Sequence, residues 1–352
     1  MQRRCIYFCC GIDVQGVAED STPSSTLVVR LEECLVGNNV ADSGGGLYVE
    51  DATVTAKDCV MEHNQATGTK GGGAVVVTAS GTTTVEGRTI AAFRGTHLLL
   101  HNNSAGASDG GAVFVASESL PPTALFDLNH STISRSMANG LGGHLYAHKA
   151  HVVMNHVHLR HGQLKNVTHG SGGSVYLTSS TLETNMVDMG HSSAYIGGCV
   201  HATASSVVKL HATTLHHCQA SSVGGALNVQ EQSQLVTTTG VTTTGVTTTG
   251  VTNTGVASLG SVTAKANASA SATASVNVIF SNRAESGAGL YLTTHSHAHV
   301  VGALFQDNVA EGEWGGDGAA CFVTRATLHV ENSTFRSNVA QSAGGALYCD
   351  TR

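Results

Sequence analysis

The sequence predicts an all-β fold, a right-handed, single-stranded parallel β-helix of about ten or eleven coils. Three observations predict it. A Gly-rich motif recurs along the chain, apolar residues occupy alternate positions within each copy, and an Asn motif precedes most copies. The composition agrees with this prediction, because 42 Gly, only 3 Pro and 12% charged residues among 352 suit strands and tight turns.

The Gly-rich motif has the form Gly-Gly-X-aliphatic-aromatic in its best copies, and most successive copies are 25 to 38 residues apart. One coil of that length cannot bury both faces of its short strands, whereas stacked coils give every inward residue a neighbour above and below. Leucine-rich repeats and propeller blades have other periods and patterns. The copies are GGGLY at 44–48, GGAVV at 72–76, GGAVF at 110–114, GGHLY at 142–146, GGSVY at 172–176, GGCVH at 197–201, GGALN at 224–228, GAGLY at 287–291, GAACF at 318–322 and GGALY at 344–348.

The fifth position of the motif predicts an external column of aromatic rings. The fourth and sixth positions are apolar in every copy, so strand alternation places both inside and the fifth outside. Such a column either offers a surface to a glycan or only stabilises the stack by ring-on-ring contact. The aromatic residues at this position are Tyr48, Phe114, Tyr146, Tyr176, Tyr291, Phe322 and Tyr348.

A second motif, apolar-x-x-Asn, precedes most of the Gly motifs. An Asn that recurs once per coil can hydrogen-bond to its copies above and below while it occupies a turn. The Gly pair then supplies positive φ or close backbone approach at the next corner. We therefore predict a structural Asn ladder made of Asn39, Asn64, Asn103, Asn185, Asn282, Asn308 and Asn338.

The domain organisation follows from these motifs. A solenoid is predicted over 27–352, after a poorly defined segment at 1–26, with a Thr-, Gly-, Ala- and Ser-rich insert at about 235–275. The insert, which contains VTTTG three times, is either an extruded disordered loop or a strand-forming Thr array. The last motif is followed by four residues, so we expect a truncated final coil that further sequence or a partner caps.

The combined motifs GGA-L-Y and F-x-x-N resemble the passenger repeats of chlamydial polymorphic membrane proteins and of similar β-helical surface proteins of microbial eukaryotes. The best copy is FRSNVAQSAGGALY at 335–348, and the resemblance extends from about residue 27 to the end. It implies a pectin-lyase-like solenoid that is extracellular or at the cell surface, outer-membrane-associated in a bacterium, and often adhesive. The GGHLY, GGSVY and GGCVH copies depart from the family pattern.

The charge argues against nucleic-acid binding, and the hydropathy predicts no transmembrane helix. With 17 Lys and Arg, a net charge of -7 and no basic stripe, the chain is not expected to bind nucleic acid. Apolar runs such as 74–77 fall far short of the roughly 20 residues of a spanning helix. The start, MQRRCIYFCCGIDV, has too short an apolar stretch for a signal peptide.

A non-catalytic scaffold, adhesive or otherwise interaction-mediating, is therefore the predicted function, with a carbohydrate-binding or polysaccharide-degrading β-helix (lyase or glycoside hydrolase) as the alternative. Degradation would need clustered carboxylates or an Arg or Lys base. The Asp residues are scattered, and neither a paired-Asp nor an Arg-x-Lys motif occurs. No catalytic residue and no cofactor are assigned, and protein or glycan surface ligands are the expected partners.

Three further residue types suggest local sites. Twelve of the 20 His lie between 144 and 217, either as solvated surface residues or as same-face metal ligands, and no carboxylate recurs beside them. Cys34 and Cys59 precede their Asn by five residues each and should stack, as a disulfide or as a buried Cys column. N-glycosylation sequons lie at Asn102, Asn129, Asn166, Asn267 and Asn332.

Overall fold

A computed structural model describes residues 6–7, 12–15, 28–80, 91–118, 122–166, 168–241, 274–313 and 316–350. Every regular element in these ranges is a β-strand. The strands form three long parallel ladders of 11, 11 and 10 strands, which we call sheet 1, sheet 2 and sheet 3, and each full coil contributes one strand to each sheet. The predicted parallel β-helix is confirmed.

Within a coil the chain passes from sheet 3 to sheet 1, then through a short corner strand to sheet 2. Sheet 1 stacks Ile6–Tyr7, Leu35–Gly37, Val60–Glu62, Leu99–His101, Thr132–Ser134, His158–Arg160, Asp188–Gly190, Thr214–His216, Asn277–Phe280, Ala303–Gln306 and Thr334–Arg336. Sheet 2 stacks Ile12–Gln15, Leu47–Glu50, Val75–Ala79, Val113–Ser117, Leu145–His148, Val175–Thr178, Val200–Thr203, Leu227–Val229, Leu290–Leu292, Cys321–Thr324 and Leu347–Asp350.

Sheet 3 and the corner strands complete the coils. Sheet 3 stacks Val28–Glu32, Thr53–Lys57, Ala91–Thr96, Ala124–Asn129, Ala150–Asn155, Thr181–Asn185, Val207–His211, Gln234–Thr238, His297–Val301 and Thr327–Glu331. The corner strands form two parallel ladders, one of Val40–Ala41, Gln65–Ala66, Ser104–Ala105, Met137–Ala138 and Gln163–Leu164, the other of Ser193–Ile196, Gln219–Val223, Arg283–Ala284, Val309–Ala310 and Val339–Ala340.

The three sheets enclose one apolar core. Strands such as Ala150–Asn155 alternate buried and half-buried residues along their whole length. Leu47 and Val49, the fourth and sixth residues of their Gly motif, are 0% exposed, as the alternation predicts. Phe93 and Phe126 stack inside the core with ring centroids 5.4 Å apart, so identical positions of successive coils pack directly on each other.

The corners are made by residues with positive φ. One corner residue follows sheet 3, as at His97 (φ 53°), and another follows sheet 1, as at His63 (φ 55°). His, Asn and Asp tolerate this left-handed region better than most residues, which explains why many His lie at corners. At the Gly motif, Gly110 has φ 67°, and a Cβ there would lie 2.2 Å from the Val113 carbonyl oxygen, so only Gly fits.

The ends of the described stack add detail to the predicted boundaries. Ile6–Tyr7 and Ile12–Gln15 already pair with the first full coil, ahead of the boundary placed at 27. The first VTTTG copy, at 236–240, begins in the sheet 3 strand Gln234–Thr238, and Gly240–Val241 pairs antiparallel with Ala274–Ser275. The rest of the repeats, after Val241, lie within residues 242–273, which are outside the described residues. In the last coil Leu347 occupies an inward column and is 46% exposed.

The Asn ladder forms two continuous runs. In the first run, Asn64 Oδ1 accepts hydrogen bonds from Asn39 Nδ2 at 2.9 Å and from Asn39 N at 3.1 Å, and Asn64 Nδ2 donates to Asn103 Oδ1 at 3.1 Å. In the second run, Asn282 Nδ2 donates to Asn308 Oδ1 at 3.0 Å, and Asn308 Nδ2 donates to Asn338 Oδ1 at 2.9 Å. Each run is a chain of amides that also binds the backbone N–H of its own residues.

The assignment of Asn185 to this ladder is wrong. Asn185 is the last residue of the sheet 3 strand Thr181–Asn185, where it pairs in register with Asn155 and His211. The ladder position of its coil is Ser192, whose Oγ accepts a hydrogen bond from Gly162 N at 3.0 Å. The apolar-x-x-Asn spacing also occurs at the end of this sheet 3 strand. The spacing alone therefore does not distinguish a residue at the end of sheet 3 from the ladder position after sheet 1.

The third residue of each Gly motif faces the ladder position of the next coil. A Cβ on Gly46 would lie 3.2 Å from Asn64 Cγ, so an Asn in the ladder requires a small partner. Three of the four coils without the Asn fill the same space in other ways. They pair His144 with Gly162, Ser174 with Ser192 through an Oγ–Oγ hydrogen bond of 2.7 Å, and Cys199 with Cys218 through a disulfide.

We expect the double variant Cys199→Ser/Cys218→Ser to fold but to lose about 3 kcal/mol of unfolding free energy, because the disulfide closes a loop with a sequence separation of 19. The variant copies the Ser174 and Ser192 pair of the preceding coil, so the polar groups keep a partner. Urea denaturation of oxidised wild type, reduced wild type and variant measures the difference. Equal stability of all three would contradict a disulfide at this place.

Cys34 and Cys59 stack in adjacent coils, as their spacing predicts. Both side chains are buried, and Cys34 N donates a hydrogen bond to Cys59 Sγ at 3.4 Å. The position immediately follows the corner residue after sheet 3, and Leu98 occupies it in the next coil. The column therefore belongs to the apolar core.

Candidate functional site: the aromatic column

The outward face of sheet 2 carries one side chain per coil at the fifth motif position. The register of the sheet aligns these residues in one column, because each pairs with the same position of the coils above and below. The remaining pairings continue the column to the last coil. In order, the column contains Tyr48, Val76, Phe114, Tyr146, Tyr176, His201, Asn228, Tyr291, Phe322 and Tyr348.

Most of the rings stack face to face in two runs. In the first run, centroids lie 5.0 Å apart for Phe114 and Tyr146, 5.6 Å for Tyr146 and Tyr176, and 5.0 Å for Tyr176 and His201. The planes differ by 14°, 2° and 14°. His201 thus extends the column by one ring, although its motif GGCVH has no Phe, Tyr or Trp at the fifth position.

The second run is shorter. Tyr291 stacks on Phe322 at 4.9 Å, and Phe322 stacks on Tyr348 at 5.0 Å. Asn228 separates this run from the first. Val76 separates Tyr48 from Phe114, and the Tyr48 hydroxyl instead accepts a hydrogen bond from Thr78 Oγ1 at 3.4 Å.

The column is only partly accessible. Its aromatic residues Tyr48 to Tyr348 are half-buried, whereas Val76, His201 and Asn228 are buried. Because both faces of Tyr146 are covered by Phe114 and Tyr176, a ligand can reach only the ring edge and the hydroxyl. The sequence-based expectation of a flat strip for sugar faces therefore needs refinement: the strip presents edges.

The phenol groups of Tyr146, Tyr176 and Tyr291 remain neutral donors. Burial raises the pKa of Tyr146 to about 12, and the nearby Asp109 carboxylate and Tyr176 add to the rise. Burial also raises the pKa of Tyr176 and of Tyr291. Asp109 precedes its Gly motif, and its Oδ1 accepts a hydrogen bond from Leu141 N at 2.9 Å. The accessible edge is thus apolar carbon with periodic O–H groups.

Seven of the 20 histidines lie at the two corners that flank sheet 1. At the corner before sheet 1, His130 stacks on His156 with centroids 4.5 Å apart, and His97 lies 5.6 Å from His130. At the corner after sheet 1, His161, His191 and His217 stack at 5.1 and 4.9 Å. Carboxylates do lie beside some of these rings, although no recurring partner is visible in the sequence; His97 contacts Asp58 at 3.2 Å.

The sequons differ in exposure. Asn166 and Asn332 are exposed, Asn102 and Asn129 are half-buried, and Asn267 lies outside the described residues. Asn129 Nδ2 donates to Asp127 Oδ1 at 3.0 Å, and Asn102 Nδ2 lies 3.2 Å from His63 Nε2. Asn166 and Asn332 are the sequons best placed for modification, which stays a prediction.

The stacked coils, with one Gly corner and one ladder position each, define a parallel β-helix repeat protein. The family model of the Chlamydia polymorphic membrane protein repeat matches residues 332–350, which span the last ladder Asn and the last Gly motif. The resemblance inferred from 335–348 is thereby confirmed. Searches among curated proteins and among solved structures found no match. Among the described residues, none form a helix that is long and apolar enough to cross a membrane.

Proposed function

We propose that the protein is a non-catalytic, surface-displayed β-helical scaffold that binds protein or glycan partners along the aromatic column. The observation that carries this proposal is a half-buried column of rings on one outward face of a long parallel stack. The matched repeat supports the surface location, because its family is named for membrane proteins. An extracellular or outer-membrane-associated position follows from the same support.

The geometry favours contact at ring edges. Centroid separations of 4.9 to 5.6 Å leave no room for a sugar ring between two aromatic rings. A glycan or peptide lying along the column would instead meet apolar edges and a phenol O–H at successive coils, such as Tyr146 and Tyr176. Edges and hydroxyls recognise extended ligands by shape and by hydrogen bonds.

We expect the double variant Tyr146→Phe/Tyr176→Phe to keep its stability within about 0.5 kcal/mol, because Phe is native to this column at Phe114 and Phe322. If the column binds partners through its hydroxyls, the variant loses retention on a glycan array or on a cell-surface protein array. The matched variant Tyr146→Ala/Tyr176→Ala removes two stacked rings and should lower the unfolding free energy by about 2–4 kcal/mol.

The two variants separate binding from folding. Unchanged retention in both variants, while the Ala variant melts earlier, would assign the column to stability alone and overturn the proposal. Loss of retention in the Ala variant only would place the contact on the apolar ring edges. Thermal melting monitored by circular dichroism accompanies each array measurement.

A groove on sheet 3 supports the alternative, a carbohydrate-binding or polysaccharide-degrading β-helix, as a second candidate. It has a volume of about 300 Å³ and is lined among others by Glu183, Lys209 and His211. Lys209 Nζ donates to Glu183 Oε1 at 2.7 Å, and His151 Nε2 lies 3.6 Å from the same oxygen. Carboxylates and Lys side chains are both used for general acid–base catalysis.

Electrostatics rank this candidate second. The hydrogen bond from Lys209 holds the pKa of Glu183 below its usual range, despite partial burial that acts the other way. A general acid needs the opposite shift. Incubation with acidic and neutral polysaccharides, followed by reducing-end and ultraviolet assays on wild type and Glu183→Gln, tests the candidate. Cleavage that disappears in Glu183→Gln would replace the scaffold proposal.

A further inference from the structure

Three imidazoles converge at the corner after sheet 1. His191 and His217 occupy this corner in successive coils, and His216 ends the strand between them. One ring nitrogen from each lies within 4.8 Å of the others. The rings of His191 and His217 are stacked at 15°, whereas His216 stands edge-on to both, at 88° and 87°.

The corner conformation allows two neighbouring residues to face one space. Side chains of adjacent residues in a strand point to opposite faces. His217 leaves the strand with φ 50°, and its Nδ1 comes to lie 2.9 Å from the Nδ1 of His216. His191 has φ 56° at the equivalent position one coil earlier, so the two exposed rings are parallel.

The His216 ring is held in place on both faces. A Cβ on Gly190 would lie 2.5 Å from His216 Cε1, so only Gly at this position admits the ring. Phe280 of the following coil stacks on the other face with centroids 5.2 Å apart. The side chain of His216 is only 10% exposed. This ring is therefore preorganised, unlike an ordinary surface histidine.

A carboxylate orients the same ring. Asp188 Oδ1 lies 2.8 Å from His216 Nε2 and accepts a hydrogen bond from it. Arg160 and His158 contact the other oxygen of Asp188 and keep the carboxylate in position. A carboxylate that binds one ring nitrogen of a His fixes the lone pair on the other, which is the usual arrangement behind metal-binding imidazoles.

We propose that His191, His216 and His217 form a site for a divalent transition-metal ion of the zinc type, with Asp188 as the positioning residue. Imidazole nitrogens suit Zn²⁺, and three protein ligands leave a fourth position open to water or to a partner's side chain. Since His216 uses its N–H toward Asp188, the proton between the two Nδ1 atoms belongs to His217. On binding, that proton moves through solvent to His217 Nε2, and both lone pairs meet the ion.

Two other groups in the chain serve as comparisons. His130 and His156 stack at the opposite corner of sheet 1. Among the described residues, no third potential metal ligand lies close enough to form a cluster with both of them. His299, His329 and Glu331 form a second close cluster, in which Glu331 Oε1 lies 2.6 Å from His329 Nε2 and 3.3 Å from His299 Nε2. Its ligands are half-buried or exposed, and no buried ring anchors it.

Zinc titration of the full chain without a histidine tag, after removal of metal with a chelator, tests the proposal by calorimetry. We expect the chain to bind one equivalent of Zn²⁺ with a Kd about tenfold or more below the Kd of any further zinc site. His216→Phe should abolish this equivalent and keep the fold, because Phe280 occupies the same column in the next coil. His217→Asn should do the same, because Asn38 and Asn102 occupy that corner in other coils.

Matched controls fix the location. His130→Asn and His329→Asn should keep the equivalent, and Asp188→Asn should keep its stoichiometry while raising the Kd about 10- to 100-fold. Cobalt substitution adds an independent readout through the absorption of a tetrahedral centre. The proposal is overturned if no such equivalent exists, if His216→Phe and His217→Asn both retain it, or if His329→Asn alone removes it. If circular dichroism shows that one of the variants His216→Phe and His217→Asn is unfolded, the zinc titration of the other variant decides.

Discussion

Replacing Asn64 by Ala lowers the unfolding free energy by about 4 kcal/mol in our expectation, because the change leaves several buried polar groups without partners. Asn64 Oδ1 accepts from the backbone and the side chain of Asn39, and its Nδ2 donates to Val36 O at 2.8 Å and to Asn103 Oδ1. Each orphaned buried group costs about 1–3 kcal/mol. Urea denaturation at neutral pH measures the loss.

Asn185→Ala is the matched control for this prediction. Asn185 is half-buried, belongs to sheet 3, and its Oδ1 has no hydrogen-bond partner within the described part of the chain. We expect its replacement to change the unfolding free energy by less than about 1 kcal/mol. Equal losses for the two variants would show that the amide network of the ladder does not stabilise the stack more than an isolated Asn does.

Acid should destabilise the protein well above the titration range of its carboxylates. Burial lowers the pKa of His144 to about 3, with nearby His161 acting in the same direction and the backbone carbonyl of Arg160 opposing it, and burial lowers the pKa of His201 to about 3. Both rings stay neutral in the folded chain, whereas the unfolded chain takes up their protons below pH 6.5. The stabilisation is complete above pH 6.5 and declines from there toward pH 3.

The expected size of the acid effect is about 1.4 kcal/mol of unfolding free energy per pH unit for each histidine. Urea denaturation at pH 7, 6 and 5 measures the slope. His201→Phe keeps a ring on Tyr176 but removes one titrating group, so it should halve the slope. His144→Ser, which copies Ser174 of the next coil, should do likewise. An unchanged slope in both variants would rule out these two groups as its cause.

The columns of the fold were predictable because each recurs once per coil. Leu47 and Val49 are buried where the alternation places them, and Phe114, Tyr146 and Tyr176 stack as their shared position predicts. A parallel stack holds equivalent residues in register, so a pattern repeated along the chain becomes a contact between coils. The prediction for Asn185 is wrong because the apolar-x-x-Asn spacing also occurs at the end of the sheet 3 strand Thr181–Asn185.

The compensating pairs at the ladder corner show what a single sequence conceals. His144 faces Gly162, Ser174 faces Ser192, and Cys199 is bonded to Cys218. The third motif residue of one coil and the ladder residue of the next pack into the same space. A larger side chain at one position therefore requires, at the other, either a smaller side chain or one that bonds to it. The signal was present in the departing motifs GGHLY, GGSVY and GGCVH, once each is read against the following coil.

The sequence by itself determined the parallel β-helix, its inward columns, the aromatic column and most of the Asn ladder, because these depend on periodicity and strand alternation alone. The tertiary structure decided which faces of the rings a ligand can reach, and that His191, His216 and His217 meet beside Asp188. Those facts depend on left-handed corner residues, which redirect side chains away from strand alternation. Contacts that arise at such corners are set by the local φ values and by the neighbouring coil, and no spacing in the chain encodes them.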